Sequence, residues 1–231
     1  MNKSLIVSKY DKDVSWITQI NDDVTINVYR KDNVEKNIME KNNVKTYFLN
    51  NIGREMHTYF YHIVKNYHNL SDYSFFVQDY PFDHWEDVIE VVNGDINNIK
   101  NRSALNFDGF YGYHFNTIKI PSEKGGIMHT MEKSKHHGDG YIISCYSNGL
   151  PHDNHLNVDE VWDMLFDEPR PVLYEFIPGA HFCVSKEQIK LRPLYFYVKL
   201  LKILDENKLA PWLLERLVCY IFNPKYKIKT I

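Results

Sequence analysis

The chain has 231 residues, 44% of them hydrophobic and 25% charged, which is enough for one large domain with a buried core. Its 27 basic and 30 acidic residues give a formal net charge of -3, so a nucleic-acid partner is disfavoured because the chain lacks an excess positive field. Three cysteines exclude a disulfide framework and no window approaches the ~20 apolar residues of a membrane span, so we expect a soluble, cytoplasmic protein with no more than peripheral membrane contact.

The first third of the chain alternates predicted strands and helices. Apolar or alternating runs that end in polar turns indicate strands at 5–8, 24–29, 46–49 and 73–77. A short helix is expected at 13–20 and a longer one at 56–67, where apolar side chains recur at helical spacing. This alternation predicts a parallel sheet with helices packed on it.

The middle of the chain is less regular than its two ends. A polar helix with a loop is expected over 85–99, and 100–157 shows only short strands such as 141–144. In the C-terminal third, the sequence predicts a helix at 158–166 and strands at 173–177 and 180–184. A capping box at Ser185 and Gln188 follows, and then helices at 193–206 and 211–222. The basic end at 223–229 is expected to be extended and solvated. No linker or repeat divides the chain, which indicates a single domain.

The first candidate site is the segment QDYPFDH at 78–84, which follows a predicted strand. In open α/β sheets, ligands bind outside the carboxyl ends of the strands. Asp79, Asp83 and His84 are therefore candidate ligands for Mg²⁺ or Mn²⁺, which would bridge to a diphosphate. The alternative is a proline-centred turn whose aspartates cap the helix that follows.

A second candidate is the segment NIGREMH at 51–57, where a helix begins. Free N–H groups at a helix N-terminus favour anions, Gly53 permits close approach, and Arg54 can pair with a phosphate or a carboxylate. The alternative is an exposed charged first turn, with Glu55 placed against the helix dipole. The sequence contains no glycine-rich phosphate loop and no dinucleotide fingerprint.

Glu215 is a third candidate because the predicted helix around it is otherwise almost entirely apolar. A carboxylate in such a helix must be paired, protonated or functional, since burying an unpaired charge is costly. It is either a general base with a tuned pKa or one half of a structural salt bridge. A fourth candidate is the pair His152 and His155, either as zinc ligands or as solvated loop side chains.

These motifs resemble blocks of the family named DUF3431. That family has sequences similar to NIGREMHTY at 51–59 and to QDYPFDH at 78–84, at this separation. Near the other end, PGAHFCVS at 178–185 and LERL at 214–217 are similar to the ending of that family and of several nucleotide-sugar glycosyltransferases of the GT-A type. The resembling blocks lie toward both ends of the chain.

The resemblance implies a GT-A-like (Rossmann-like) α/β domain with a mostly parallel central sheet flanked by helices. Residues 1–95 would bind a nucleotide sugar and a metal ion, and residues 96–231 would bind the acceptor. The implied activity is transfer of a hexosyl or deoxyhexosyl group to a glycan hydroxyl, assisted by Mn²⁺ or Mg²⁺ and with inversion. The alternatives are a metal-dependent hydrolase that uses His152, His155 and nearby aspartates, and a non-catalytic carbohydrate-binding domain.

The resemblance also implies roles for single residues. The donor-binding residues would be Tyr10, Asp13, Asn51, Arg54, Glu55, Gln78 and Asp79. Asp79, Asp83 and His84 would replace the Asp-x-Asp metal turn of glycosyltransferases, which this sequence lacks on that strand. Gly179, Ala180 and His181 would border the acceptor, and Glu215 would be the catalytic base that deprotonates its hydroxyl.

Overall fold

The computed structural model describes residues 1–32, 41–107, 109–113, 118–121, 131–132, 141–142 and 158–229. Its strands are β1 Lys3–Lys9, β2 Val24–Arg30, β3 Val44–Phe48, β4 Tyr73–Gln78, β5 Leu105–Phe107, β6 Phe110–Gly112, β7 Ile118–Pro121, β8 Met131–Glu132, β9 Tyr141–Ile142, β10 Leu173–Phe176 and β11 Phe182–Ser185. Its helices are α1 Arg54–Asn66, α2 Val88–Asn93, α3 Ile96–Asn101, α4 Val158–Leu165, α5 Lys186–Lys190, α6 Leu194–Glu206 and α7 Ala210–Phe222. Within these described ranges, no helix has the length and apolar character that crossing a membrane requires.

Seven strands form one open sheet in the order β3-β2-β1-β4-β11-β6-β5. The first four run parallel, whereas β11 pairs antiparallel with β4, and β6 and β5 continue in antiparallel pairing. The prediction of a single α/β domain is therefore confirmed, but parallel pairing is confined to one side of the sheet. Strands β5 and β6 are joined by a tight connection at Gly109, whose φ of 89° suits glycine. Two strands joined by so short a connection form a hairpin, and the strands of a hairpin are antiparallel.

The sheet is covered on both faces. One face packs against α1, α4, α6 and α7 through side chains that include Phe76 and Phe182, and the other packs against the 3₁₀-helix Ser15–Gln19 and α2 through Phe75 and Val77. Successive strand residues point to opposite faces, so β4 is buried on both sides and reads as a continuous apolar run. The sheet is thus the middle layer of three.

Several elements differ in detail from their predicted form. The helix expected at 13–20 is the 3₁₀-helix Ser15–Gln19, and the helix expected over 85–99 is two short ones, α2 and α3, because Asp95 caps α3 by accepting from the N–H groups of Asn97 and Asn98. Half of the predicted capping box is confirmed, since the Ser185 Oγ accepts from the Gln188 N–H at 3.2 Å. The other half is not formed, because the Ser185 N–H donates to the Gly109 carbonyl oxygen and the Gln188 side chain donates to that of Phe222. At the basic end, Lys225, Lys227 and Lys229 are exposed as predicted, while Ile228 forms an antiparallel bridge with Phe166.

Candidate functional site

The polar segments that follow the parallel strands meet at one end of the sheet, which we call the carboxyl edge. It consists of residues 10–13 after β1, 31–32 after β2, 48–55 from the end of β3 into α1, 78–84 after β4 and the turn 178–181 before β11. Parallel strands end on the same side, and β11 starts there because it runs antiparallel to β4. Open α/β sheets bind their ligands at such an edge.

The turn before β11 is held between α7 and β4. The Gly179 N–H donates to Glu215 Oε1 at 2.6 Å, and the Gln78 side-chain amide donates to the Gly179 carbonyl oxygen at 3.2 Å. Gly179 has a φ of 84°, and a Cβ there would lie 2.9 Å from the His84 ring. Three segments that lie far apart in sequence, and that the sequence assigns to donor, acceptor and base, therefore meet at one glycine.

Glu215 is a mostly buried carboxyl group, with a side chain that is 13% exposed. Burial raises its pKa above the ordinary glutamate value, and the nearby charge of Glu55 raises it further. Arg216, whose Nη1 lies 3.8 Å from Glu215 Oε2, and Arg54 act in the opposite direction. A carboxyl group with this balance is a better proton acceptor than an exposed one, which suits general base catalysis.

The segment between β3 and α1 makes a left-handed turn. Gly53 has a φ of 60° and Arg54, which has a Cβ, has a φ of 48°. Among the described non-glycine residues, only Arg54 and Ala180 have positive φ; Arg54 directly precedes Glu55, and Ala180 directly follows Gly179, whose N–H donates to Glu215. Backbone strain of this kind occurs at ligand sites more often than elsewhere.

Lys31 holds this turn in place from β2. Its amine is buried and donates to the Ile52 carbonyl oxygen at 2.7 Å and to the Arg54 carbonyl oxygen. Burial lowers the Lys31 pKa to about 8, and the charge of Glu55 offsets part of this effect. Lys31 was not among the predicted site residues; its only signal in the sequence is its place directly after a buried strand.

The Asp79 side chain accepts hydrogen bonds from the backbone of residues 10–12, which directly follow β1. Its Oδ2 accepts from the N–H groups of Tyr10, Asp11 and Lys12 at 2.9, 3.1 and 2.9 Å, and its carbonyl oxygen accepts from the Trp16 indole at 2.8 Å. Consecutive N–H groups that converge in this way form an anion-binding concavity. The anion that fills it here is the protein's own carboxylate.

The three residues predicted to hold Mn²⁺ or Mg²⁺ do not form a ligand set. Asp79 is engaged with the backbone, and Asp83 is exposed in the 3₁₀-helix Pro81–Asp83. The ring of His84 lies 5.8 Å from that of His181, centroid to centroid. In the part of the chain that is described, no group of three histidine, cysteine or acidic side chains is arranged to hold a metal ion. These residues do not fit the ion, and the metal requirement stays a prediction.

The remaining predicted donor residues lie at the rim of the carboxyl edge. Asn51 is exposed, and the Asp13 carboxylate accepts from the Ser15 N–H at 3.2 Å and from the Ser15 hydroxyl, which lowers the Asp13 pKa. Large apolar side chains are also exposed here, at Tyr10, Phe48, Ile52 and Tyr80. An exposed aromatic patch beside polar groups is typical of a ligand-binding surface.

Two further points concern the sequence-based candidates. His152 and His155 lie outside the described residues. Tyr59, which belongs to the predicted apolar stripe of the helix, lies one turn after Glu55 on α1, and burial first and then the charges of Glu55, Asp79 and Glu215 raise its pKa. The only signal for it in the sequence was its place at the end of the motif NIGREMHTY.

Comparison with curated proteins and with solved structures finds no match, so the likeness to GT-A glycosyltransferases stays a prediction. A family model with the description "Protein of unknown function (DUF3431)" matches residues 5–229. That match spans nearly the whole chain, including both groups of motifs and every described residue of the carboxyl edge. The chain belongs to the DUF3431 family.

Proposed function

We propose that this protein is a glycosyltransferase that moves a sugar from a nucleotide-sugar donor to a hydroxyl group of a glycan at the carboxyl edge. The observation that carries the proposal is the Glu215 carboxyl group. It is mostly buried, its pKa is raised, and the Gly179 N–H orients one of its oxygens at 2.6 Å. A base that must accept a proton from a sugar hydroxyl benefits from burial and a raised pKa, while the bond from the Gly179 N–H fixes the direction of the carboxylate and offsets part of the rise in pKa.

The chemistry requires one base and a stabilised leaving group. Glu215 removes the proton from the acceptor hydroxyl, the acceptor oxygen attacks the anomeric carbon, and the bond to the diphosphate breaks with its electron pair going to the leaving oxygen. The proton stays on Glu215, and attack from the opposite side inverts the configuration at the anomeric carbon. General base catalysis of this kind contributes about 10²- to 10⁴-fold in rate.

The donor side is supported by charge and by apolar surface. Arg54 lies at the N-terminus of the 13-residue helix α1, with a side chain that is 48% exposed, and its guanidinium carbon lies 5.1 Å from the centre of the Trp212 ring. The positive end of a helix and an arginine together favour a diphosphate. The exposed rings of Tyr10 and Tyr80 offer stacking surfaces for a nucleobase or a sugar.

The first experiment is a thermal-shift screen with UDP-, GDP- and dTDP-sugars, with and without Mn²⁺. A ligand that binds only the native state raises the melting temperature. We expect a shift with at least one nucleotide sugar. A shift with free glycans alone would instead favour the non-catalytic carbohydrate-binding domain, which the exposed aromatic side chains also suit. A shift with zinc alone would favour the metal-dependent hydrolase.

The second experiment compares transfer rates of the wild type, Glu215→Gln and Glu206→Gln. The amide oxygen of Gln can still accept from the Gly179 N–H, so the turn is preserved while the base is removed. We expect Glu215→Gln to lose at least about 100-fold in kcat with donor affinity nearly unchanged. Glu206 lies on α6 with a 65% exposed side chain and is the matched control. Full activity of Glu215→Gln would contradict the proposal.

A further inference from the structure

Tyr59 is one of the most deeply buried side chains of the protein. Its exposed fraction is 0%, and its ring lies between Phe76 of β4 and Phe182 of β11, at centroid distances of 5.2 and 5.6 Å. It therefore sits on the sheet at the junction of the parallel and antiparallel halves. A phenylalanine would fill this position equally well, so packing alone does not explain the hydroxyl group.

The Tyr59 hydroxyl has no hydrogen-bond partner among the described residues. This distinguishes it from the other tyrosines that are equally buried. Each of these bonds an internal partner: Tyr29 to His62 Nδ1 at 2.8 Å, Tyr113 to the Ile99 oxygen at 2.9 Å, Tyr174 to Asp159 Oδ1 at 2.6 Å and Tyr197 to the Ile189 oxygen at 2.8 Å. A buried polar group without a partner is costly, so the exception at Tyr59 requires an explanation.

The hydroxyl points toward the carboxyl edge. Long side chains on a helix lean toward its N-terminus, which for α1 is the end at the carboxyl edge, and Glu55 is one turn away on the same face. The carboxylates of Glu55, Asp79 and Glu215 add to the effect of burial in raising the Tyr59 pKa well above its ordinary value. The phenol is therefore neutral, and its hydrogen is available as a donor.

Glu55 and Glu215, whose charges act on this hydroxyl, both reach solvent, whereas Tyr59 does not. Their side chains are 12% and 13% exposed. The charge of Glu55 disfavours ionised Glu215, and a hydroxyl group that donates to either carboxylate would relieve this repulsion. Sugar hydroxyls both donate and accept, which matches a site made of two carboxylates and one phenol.

We propose that the Tyr59 hydroxyl donates a hydrogen bond to a hydroxyl group of the transferred sugar, and so belongs to the substrate-binding site. The inference rests on the proposed function, which it deepens by naming the residue that recognises the sugar ring rather than the nucleotide. Binding moves the Glu55 side chain aside while Glu215 keeps its bond to the Gly179 N–H, because solvent does not reach the phenol oxygen in the absence of ligand.

The test compares Tyr59→Phe with Tyr197→Phe, a buried tyrosine whose hydroxyl has an internal partner. Without ligand, Tyr59→Phe should keep or raise the melting temperature, since it removes an unsatisfied group, whereas Tyr197→Phe should lower it by about 2–4 °C. Calorimetry should show the nucleotide sugar binding about three- to tenfold more weakly to Tyr59→Phe, with the nucleoside diphosphate alone binding as to wild type.

Each other outcome is decisive. If Tyr59→Phe lowers the melting temperature as much as Tyr197→Phe does, or binds the nucleotide sugar as tightly as wild type, the inference is overturned while the proposed function stands. If the wild type binds free oligosaccharides but no nucleotide sugar, the proposed function fails, and the same two variants measured on the oligosaccharide decide the role of Tyr59. If the wild type binds neither ligand class, both proposals are overturned.

Discussion

The two ends of the parallel strands treat their buried polar groups differently. At the amino edge, where β1 and β4 begin, Lys3, Ser4 and Ser74 all find partners within the protein, and the one buried atom without a partner among the described residues of this edge is Asn43 Oδ1, before β3. The Lys3 amine donates to the Val92 and Gly94 carbonyl oxygens at 2.6 and 2.9 Å, Ser4 and Ser74 bond each other at 3.3 Å, and the backbone N–H of Asn2 donates to Asp72 at 2.8 Å.

The carboxyl edge also has buried polar groups, but some of them lack a partner or have a shifted pKa, and the backbone near them is strained. A buried phenol lacks a partner among the described residues, a buried carboxyl group has a raised pKa, and Arg54 and Ala180 adopt left-handed backbone conformations. Apolar side chains at these positions, like those over most of the core, would avoid the cost of the buried phenol and carboxyl groups. The difference teaches that the carboxyl edge is shaped by something other than stability, which is the pattern expected of a ligand site.

The largest expected effect comes from the two buried lysines, one at each edge. Lys3→Met and Lys31→Met each leave two backbone carbonyl oxygens without their donor, so each should lower the free energy of unfolding by about 2–3 kcal/mol in urea denaturation. Only Lys31→Met should also weaken nucleotide-sugar binding, since Lys31 holds the Arg54 turn. Equal losses of nucleotide-sugar affinity in both variants would contradict the assignment of ligand binding to the carboxyl edge alone. Lys190→Met, at an exposed position, is the control.

The next effect concerns Asp79, which lies at the carboxyl edge but has several hydrogen-bond partners within the protein. Asp79→Ala removes an acceptor of three backbone N–H groups and should cost about 2 kcal/mol of stability, whereas Asp83→Ala, at an exposed position, should change it by less than about 0.5 kcal/mol. The same pair tests the metal prediction. Loss of a Mn²⁺-dependent thermal shift in folded Asp83→Ala would support a metal site that includes this loop.

A smaller effect is the response to acid of His57, which lies in the first turns of α1. Burial first, and then the charge of Lys31, lower the His57 pKa to about 4. The unfolded chain takes up this proton at the ordinary pKa of 6.5, so the contribution of His57 to stability falls as the pH is lowered from 6.5 toward 4, by at most about 1.4 kcal/mol per pH unit. Buried His62, whose pKa burial lowers to about 3, adds a loss of its own in the same range. His57→Gln should flatten this part of the stability profile. His68→Gln, at an exposed position, should leave it unchanged.

The smallest expected effect on stability is at the exposed rings. Tyr10→Ala and Tyr80→Ala should change the free energy of unfolding by less than about 0.5 kcal/mol, because both side chains are about half exposed. Each should weaken nucleotide-sugar binding by about 0.5–1.5 kcal/mol if its ring stacks on the ligand. Tyr195→Ala, on α6 and 38% exposed, is the matched control for binding measured by calorimetry. Unaltered affinity in both test variants would remove the stacking surface from the proposal.

The sequence predicts most of the elements but only part of their arrangement. Periodicity and caps are local, so β1, β4, α6, α7 and the Ser185 cap were all expected close to their observed bounds. The antiparallel half could not be predicted in this way. Its strands β5 and β6 have three residues each, and their partner β11 comes from a distant part of the chain, so tertiary packing decides the pairing.

The candidate site shows the same limit. Glu215 could be selected as an acidic residue in an apolar helix, and the turn at Gly179 only through the resemblance; the structure brings them together with Gln78. The hydrogen bonds of Asp79 with three backbone N–H groups could not be predicted from the sequence, because nearly every residue type carries the same backbone N–H group. Tyr59 could not be separated from an apolar stripe, since a phenol that lacks a partner looks the same in sequence as one that has one. The roles of these residues toward donor and acceptor stay predictions.

The contact between Gln78 and Gly179 also has a consequence for how the chain folds. It joins residues 101 positions apart, and the β4 and β11 pairing beside it has a similar span. Closing such a long loop is slow because its entropy is lost before the contacts form, whereas β1 and β2 pair residues only 21 positions apart, such as Lys3 with Val24. We expect β1 and β2 to pair early and β11 to join late. In hydrogen exchange, the amides of β11 should then open before those of β1, and each such opening would dismantle the site while most of the sheet is still intact.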